Sequence, residues 1–210
     1  MSARTDDLRV MLVTDPAMTR ARGLAATVAA AICGGATVVQ LRDKMASDDE
    51  LAEAAQALIS VLSPHGVPLI VNDRPAVARR VGAAGVHLGQ RDGNPEAARR
   101  LLGADGIIGW SVTDIMQLER VPDAVDYVGL GPVFATGTKP DAAAPLGLDG
   151  VRAARARTRM PVIAIGGIDA KNAAAVIAAG ADGIAVVSAI CAADDPESAT
   201  AGLRRAVGGS

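Results

Sequence analysis

Ala179-Gly180-Ala181-Asp182-Gly183-Ile184-Ala185-Val186-Val187-Ser188 contains the joint on which the whole chain is built. An Ala-rich segment of helical period ends in glycine, which permits the left-handed turn that stops a helix and reverses the chain. A short aliphatic run follows, too short for a helix and rich in β-branched residues, and it ends on a hydroxyl. The same passage recurs at Gly34-Gly35-Ala36 and at Gly82-Ala83-Ala84-Gly85. Each unit is therefore a strand with a returning helix.

Read outward from that joint, strand candidates fall at 9–14, 37–42, 68–72, 85–88, 107–111, 126–129, 161–165 and 183–188. Helical periodicity occupies 23–32, 48–62, 95–102, 150–157, 170–179 and 196–207 between them. Ser47-Asp48-Asp49-Glu50 has the form of a capping box, and Asn94-Pro95-Glu96 puts proline at a first helical position. Continuous apolar strands joined by crossovers belong in a parallel sheet covered by helices, and eight such units close a (β/α)8 TIM barrel. The competing open, doubly wound sheet would carry Gly-x-Gly-x-x-Gly after its first strand, where this chain has Thr14-Asp15-Pro16-Ala17. A single domain over residues 1–210 is expected, with 1–8 as a flexible N-terminus.

Composition narrows the function. The net charge is −2 and Lys and Arg are scattered, so no basic field for nucleic acid is expected. No apolar run reaches the roughly 18 residues of a membrane span, and the polar start resembles neither signal nor anchor, so a cytoplasmic protein is expected. Tyr127, Phe134 and Trp110 are the only aromatic residues, and the core must be built from Ala, Val, Ile and Leu. Cys33 and Cys191 lack paired-motif spacing and read as reduced, packed thiols. Apolar outer helix faces leave homo-oligomerisation open.

In a closed barrel, chemistry lies at the carboxyl ends of the strands, and polar clusters fall there. Alternation along strand two puts Val38, Gln40, Arg42 and Lys44 on one face, with Val39, Leu41 and Asp43 on the other. Two cations and an amide on one side suit a bound anion. Asp73 ends strand three and Asp92 follows strand four, so adjacent units set two carboxylates on one rim. That suits Mg2+, which takes a few carboxylates and completes its shell with water and phosphate oxygens. Asn72 could meet a heterocycle edge or close a turn, and Ser111 could touch substrate. Trp110 and His87 read chiefly as structural, His65 as a surface residue.

After strand six, a loop running to about Leu148 contains Thr136-Gly137-Thr138-Lys139, whose hydroxyls, backbone N–H groups and cation suit phosphate oxygens without the spacing of a P-loop. Strands seven and eight end in Ile165-Gly166-Gly167-Ile168 and Val186-Val187-Ser188, the loops that hold phosphate in this fold. Neither His65 nor His87 is expected to have a Ser or Cys partner arranged for nucleophilic catalysis.

As a set, these motifs resemble the thiamine phosphate synthase family over about residues 10–206. The matching stretches are Val-Thr-Asp at 13–15, Gln-Leu-Arg-Asp-Lys at 40–44, Val-Asn-Asp at 71–73 and Gly-Val-His-Leu-Gly-Gln-Arg-Asp at 85–92. They continue with Gly-Trp-Ser at 109–111, Tyr-Val-Gly-Leu-Gly-Pro-Val-Phe-Ala-Thr-Gly-Thr-Lys at 127–139, Ile-Gly-Gly-Ile at 165–168 and Val-Val-Ser-Ala-Ile at 186–190. The resemblance implies coupling of hydroxymethylpyrimidine diphosphate to a thiazole phosphate, giving thiamine phosphate and pyrophosphate.

It further implies that Gln40, Arg42, Lys44, Asn72, Ser111 and Lys139, with Leu41 and Asp43 in the same segment, hold the pyrimidine diphosphate. Arg42, Lys44 and Lys139 would stabilise the departing charge, and Asp73 and Asp92 would bind Mg2+. Thr136, Gly137, Thr138, Gly167, Val187 and Ser188 would hold the thiazole phosphate. Two positions depart from many relatives: Met11 stands where an aromatic is usual, and Thr113 where His is. The second counts against the thiazole tautomerase branch of the superfamily, which relies on that His. A phosphosugar isomerase on the same barrel would need a placed acid-base pair. A non-catalytic thiamine-precursor binding protein would share the fold.

Overall fold

In the computed structural model, which describes residues 8–138 and 143–208, eight parallel strands close into a barrel in sequence order. They are β1 (Val10–Val13), β2 (Val38–Leu41), β3 (Leu69–Asn72), β4 (Gly85–Leu88), β5 (Ile107–Val112), β6 (Tyr127–Leu130), β7 (Val162–Ile165) and β8 (Gly183–Val186). Around them run α1 (Pro16–Thr19), α2 (Leu24–Cys33), α3 (Asp48–Leu62), α4 (Pro75–Val81), α5 (Pro95–Leu102), α6 (Gly147–Arg157), α7 (Ala173–Ala178), α8 (Ser188–Cys191) and α9 (Pro196–Gly208). A 3-10 helix, Ile115–Arg120, stands between β5 and β6 in place of an α-helix.

The expected joints hold. Ser47 and Glu50 form the reciprocal capping box, and the Asn94 side chain accepts from the Ala97 N–H. Strand alternation then sorts the core into two layers. Val10, Leu12, Val39, Leu41, Val71, Val86, Leu88, Ile108 and Trp110 face the helices. Met11, Val13, Val38, Ile70, Ile107, Tyr127, Ile163 and Ala185 fill the barrel.

Four sequence readings need revision. Leu8, assigned to a flexible start, is buried and belongs to the barrel interior, because the apolar side chain helps fill the barrel beside β1; residues 1–7 lie outside the described residues. α4 and the short α1 and α8 were not foreseen, since their lengths of 7, 4 and 4 residues give little periodicity. β2 ends at Leu41, so strand alternation does not carry Arg42 and Lys44 to their positions. Cys33 is exposed at the end of α2; only Cys191 is packed.

At the amino ends of the strands, one latch occurs twice. Arg99 of α5 donates to the Asp126 carboxylate at 2.6 Å, and the same oxygen accepts the Ile108 N–H of β5 at 2.8 Å. Arg155 of α6 pairs with Asp182 at 2.8 Å, whose oxygen accepts the Val162 N–H of β7 at 2.7 Å. Both arginines also cap loop carbonyls, Arg99 at Gly103, Ala104, Gly106 and Ala124, Arg155 at Thr158 and Met160. The planar guanidinium fork suits this multiple duty.

Candidate active site

The carboxyl ends of β2, β3 and β4 bring the acidic and basic groups together. Lys44 Nζ lies 3.4 Å from Asp73 Oδ2, the lysine half-exposed and the aspartate largely buried. The Asp73 N–H extends the β3–β4 ladder to the His87 carbonyl at 2.8 Å. Its backbone then turns into the left-handed region at φ 63°, the only non-glycine residue described there. Such a conformation is strained for a residue other than Gly, Asn or Asp, and it turns the carboxyl to its neighbour.

That neighbour is Asp92. Burial raises the Asp73 carboxyl above its ordinary range, and the Asp92 charge and a hydrogen bond to Asp92 raise it further; Lys44 offsets part of this. Asp92 is itself anchored, its Oδ2 accepting the Gly89 N–H at 3.1 Å. Two carboxyls near enough for the charge of one to raise the other repel when both are ionised, and a divalent cation relieves that repulsion. Among the described residues no cluster of three or more His, Cys, Asp or Glu could hold a metal ion. A site with two carboxylates and open coordination positions fits Mg2+, which keeps waters and takes substrate phosphate oxygens.

Arg42 is half-buried just past β2, its backbone N–H held by Thr14 Oγ1 at 3.0 Å, and among the described residues it has no carboxylate partner. Its neighbours turn elsewhere. Leu41 is buried in the layer between sheet and helices, and the Asp43 carboxylate accepts the N–H groups of Met45 and Ala46 in a local turn. Their side chains are thus used for packing and for the turn, leaving Arg42 and Lys44 as the polar arms of this segment.

Inside the barrel mouth lies a polar chain. His87 Nδ1 is 2.9 Å from the Tyr127 hydroxyl, and His87 Nε2 is 2.9 Å from Ser111 Oγ. The buried Gln40 amide directs its Nε2 at Met11 Sδ, 3.6 Å away. Burial brings the His87 pKa down to about 4, so the imidazole is neutral at physiological pH. Burial likewise pushes the Tyr127 phenol far up. Space for the two rings comes from glycines on adjoining strands: a Cβ at Gly109 would stand 2.2 Å from Tyr127 Cζ, and one at Gly129 2.8 Å from His87 Cε1. Asn72 is the strand partner of His87, half-buried at the same level. The sequence left Tyr127 unassigned and gave His87 a structural reading. The signal was the two inward glycines flanking an inward aromatic.

On the opposite side, the loop after β6 is pinned to the end of β7, Val133 N–H to the Ile165 carbonyl at 2.8 Å and Phe134 N–H to the Gly166 carbonyl at 2.9 Å. Gly167 has φ 64°, and a Cβ there would lie 2.6 Å from the Ala135 carbonyl oxygen. Thr136 Oγ1 accepts the Thr138 N–H at 3.3 Å, and a Cβ at Gly137 would meet nothing within 4 Å. Val187 is half-buried and Ser188, exposed, opens α8. Lys139, expected to complete the cationic set, lies outside the described residues.

The thiamine monophosphate synthase family model matches residues 10–190 of the chain. A thiamine-phosphate synthase of Azorhizobium caulinodans is 52% identical over 199 residues, covering 94% of each chain. One from Chloroflexus aurantiacus is 52% identical, covering 96% of this chain and 93% of its own. Among solved structures, thiamine phosphate pyrophosphorylase from Pyrococcus furiosus superposes with a TM-score of 0.88 at 36% identity, covering 99% of this chain and 98% of that one.

Proposed function

This chain belongs to the thiamine monophosphate synthase family, and we propose that its barrel mouth joins hydroxymethylpyrimidine diphosphate to thiazole phosphate, releasing pyrophosphate with Mg2+ bound at Asp73 and Asp92. The observation that carries this reading is the close pair Asp73 and Asp92 with Lys44 alongside, facing a hydroxyl-bearing loop across one mouth. A diphosphate is held on the acidic and cationic side. A monophosphate suits the opposite side, where the Gly167 turn and the Thr136 and Thr138 hydroxyls lie.

The chemistry needs charge stabilisation more than proton transfer. As the pyrimidinyl C–O bond breaks, negative charge grows on the leaving oxygens and a pyrimidinylmethyl cation remains. Arg42 and Lys44, fixed cations at the rim, stabilise that charge, with Lys139 assigned to the same duty from sequence. Mg2+, when bound, supplies further neutralisation of the diphosphate. The thiazole nitrogen attacks through its own lone pair, so no protein base is required, and the neutral, buried His87 is not asked to act as one. The Gln40 Nε2 is directed at Met11 Sδ within the barrel, which leaves the amide oxygen to accept from an amino group on the pyrimidine. Anchoring both substrates by their phosphates supplies the positioning.

Incubation with the two phosphorylated heterocycles and Mg2+ should yield the coupled product by mass detection, with pyrophosphate released in equal amount. Absence of coupling under saturating substrates would leave only a precursor-binding role. The tautomerase reading finds no imidazole at residue 113, where Thr113 donates its backbone N–H to Gln117.

A further inference from the structure

We propose that Asn172 is a positioning residue for the monophosphate side of the mouth: its side-chain amide fixes the peptide after Gly167, so that the Gly167 and Ile168 N–H groups are presented to a phosphate. That this phosphate belongs to the thiazole substrate rests on the function proposed above; the hold of Asn172 on the turn does not.

Glycine has more backbone freedom than any other residue, so a glycine that serves a ligand must have the peptides on both of its sides held. Gly166 and Gly167 follow one another at φ 101° and 64°. The peptide before Gly167 is held by Phe134, whose N–H donates to the Gly166 carbonyl at 2.9 Å. The peptide after it is held by Asn172, whose Nδ2 donates to the Gly167 carbonyl at 2.9 Å. In a planar trans peptide the N–H points opposite to the C=O, so the Gly167 N–H faces away from Phe134 and the Ile168 N–H away from Asn172. Among the described residues neither N–H has a protein acceptor. Ile168 is 5% exposed and packs in the layer between sheet and helices, which anchors the far end of the turn. Two successive N–H donors on a fixed turn suit the oxygens of a phosphate.

The orientation of the Asn172 amide is settled by its partners, since a carbonyl only accepts and an N–H only donates. Its Oδ1 accepts the Asp169 N–H at 3.0 Å, and Asp169 Oδ1 accepts the N–H groups of Lys171 at 2.8 Å and Asn172 at 3.2 Å. That reciprocal pair caps the turn leading into α7, and for it residue 172 needs only an oxygen. The Nδ2 bond to Gly167 is a second duty, outside the cap. Aspartate, of the same shape, would serve the cap and set an acceptor against the Gly167 carbonyl. Asparagine alone of the two performs both.

The test is calorimetric titration of the full protein with thiazole phosphate and, separately, with the pyrimidine diphosphate and Mg2+. Asn172→Leu, close in shape and without polar atoms, should weaken thiazole phosphate binding about tenfold and leave pyrimidine diphosphate binding within about twofold. Asn172→Asp, read at high salt to screen its added charge, should show the same loss and serves if the leucine variant does not fold. Asp169→Ala removes the side-chain cap and keeps the Asn172 link, so it should lower the melting temperature with thiazole phosphate affinity unchanged. Parental affinity in the Asn172 variants, an equal loss for both ligands, or an equal loss in Asp169→Ala would each overturn the proposal. If the parent protein ignores thiazole phosphate but binds inorganic phosphate with the same dependence on Asn172, the proposed function falls and the positioning role stands. Coupling of both substrates with parental thiazole phosphate affinity in the Asn172 variants would do the reverse.

Discussion

Asp73, from a backbone held at φ 63°, sets its carboxyl where burial and the charge of Asp92 raise it above its ordinary range. Adjacent strand ends thus bring together two groups that disfavour each other's ionised form, and Lys44, 3.4 Å from Asp73, offsets only part of the conflict. This pair is the feature of the mouth most in need of a ligand.

Asp73→Asn and Asp92→Asn should each lower turnover by about a hundredfold or more while changing the melting temperature little. Asn tolerates the left-handed backbone at residue 73, and removing one charge relieves the repulsion. Asp73→Ala should lose activity similarly and in addition destabilise by about 1–2 kcal/mol, because alanine is strained at that φ. Steady-state kinetics and thermal melts on the three variants check both halves.

Chelation should abolish pyrophosphate release, and added Mg2+ should restore it. If full activity persists in the presence of excess chelator, the acidic pair has another purpose. Calorimetric titration of Mg2+ should give markedly weaker binding in Asp92→Asn than in the parent protein, provided the diphosphate is present to complete the coordination shell.

His87 makes stability depend on pH. Its pKa is about 4 in the fold against 6.5 ordinarily, so the unfolded chain takes up this proton first as pH falls. The associated stability is therefore present above about pH 6.5, is lost progressively as pH falls, and levels off below about pH 4, with a span on the order of 3 kcal/mol. Denaturant melts of the parent protein and of His87→Gln across that window should diverge in slope, the variant being flatter.

Gly109→Ala should destabilise by about 2–3 kcal/mol or prevent folding, because the new methyl meets the Tyr127 ring at 2.2 Å within a filled barrel. Gly129→Ala meets only an edge of His87, at 2.8 Å, and should cost less. Urea titration ranks the two; equal cost would contradict the packing described.

Gly167→Ala combines a left-handed φ with a contact of 2.6 Å to the Ala135 carbonyl. The turn must shift, so the KM for thiazole phosphate should rise at least several-fold while that for the pyrimidine diphosphate changes little. Initial rates with each substrate varied in turn separate these effects.

The barrel was legible because glycine joints and aliphatic runs repeat along the chain, and the α3 and α5 boundaries followed from their caps. Asp73 and Asp92 were legible as a pair because each sits at the end of a neighbouring unit. Lys44 was placed for the wrong reason: β2 stops at Leu41, and an ion pair to Asp73, not strand alternation, holds the side chain at the rim. The link from Tyr127 through His87 to Ser111 was not legible, since it joins residues on β6, β4 and β5 whose contact depends on the closure of the sheet. A sulfur at residue 11 has no motif, and its contact with the Gln40 amide appears only in the folded barrel.

Arg99 with Asp126 and Arg155 with Asp182 spend their charges on one another and on backbone N–H groups at the starts of β5 and β7. These two carboxylates on the lower storey are consequently neutralised and structural, whereas Asp73 and Asp92 on the upper oppose each other's charge. Loops above β5 to β8 can then be exchanged for those of relatives with less disturbance to how these staves align, because the β5–β6 and β7–β8 pairs are also tied from beneath.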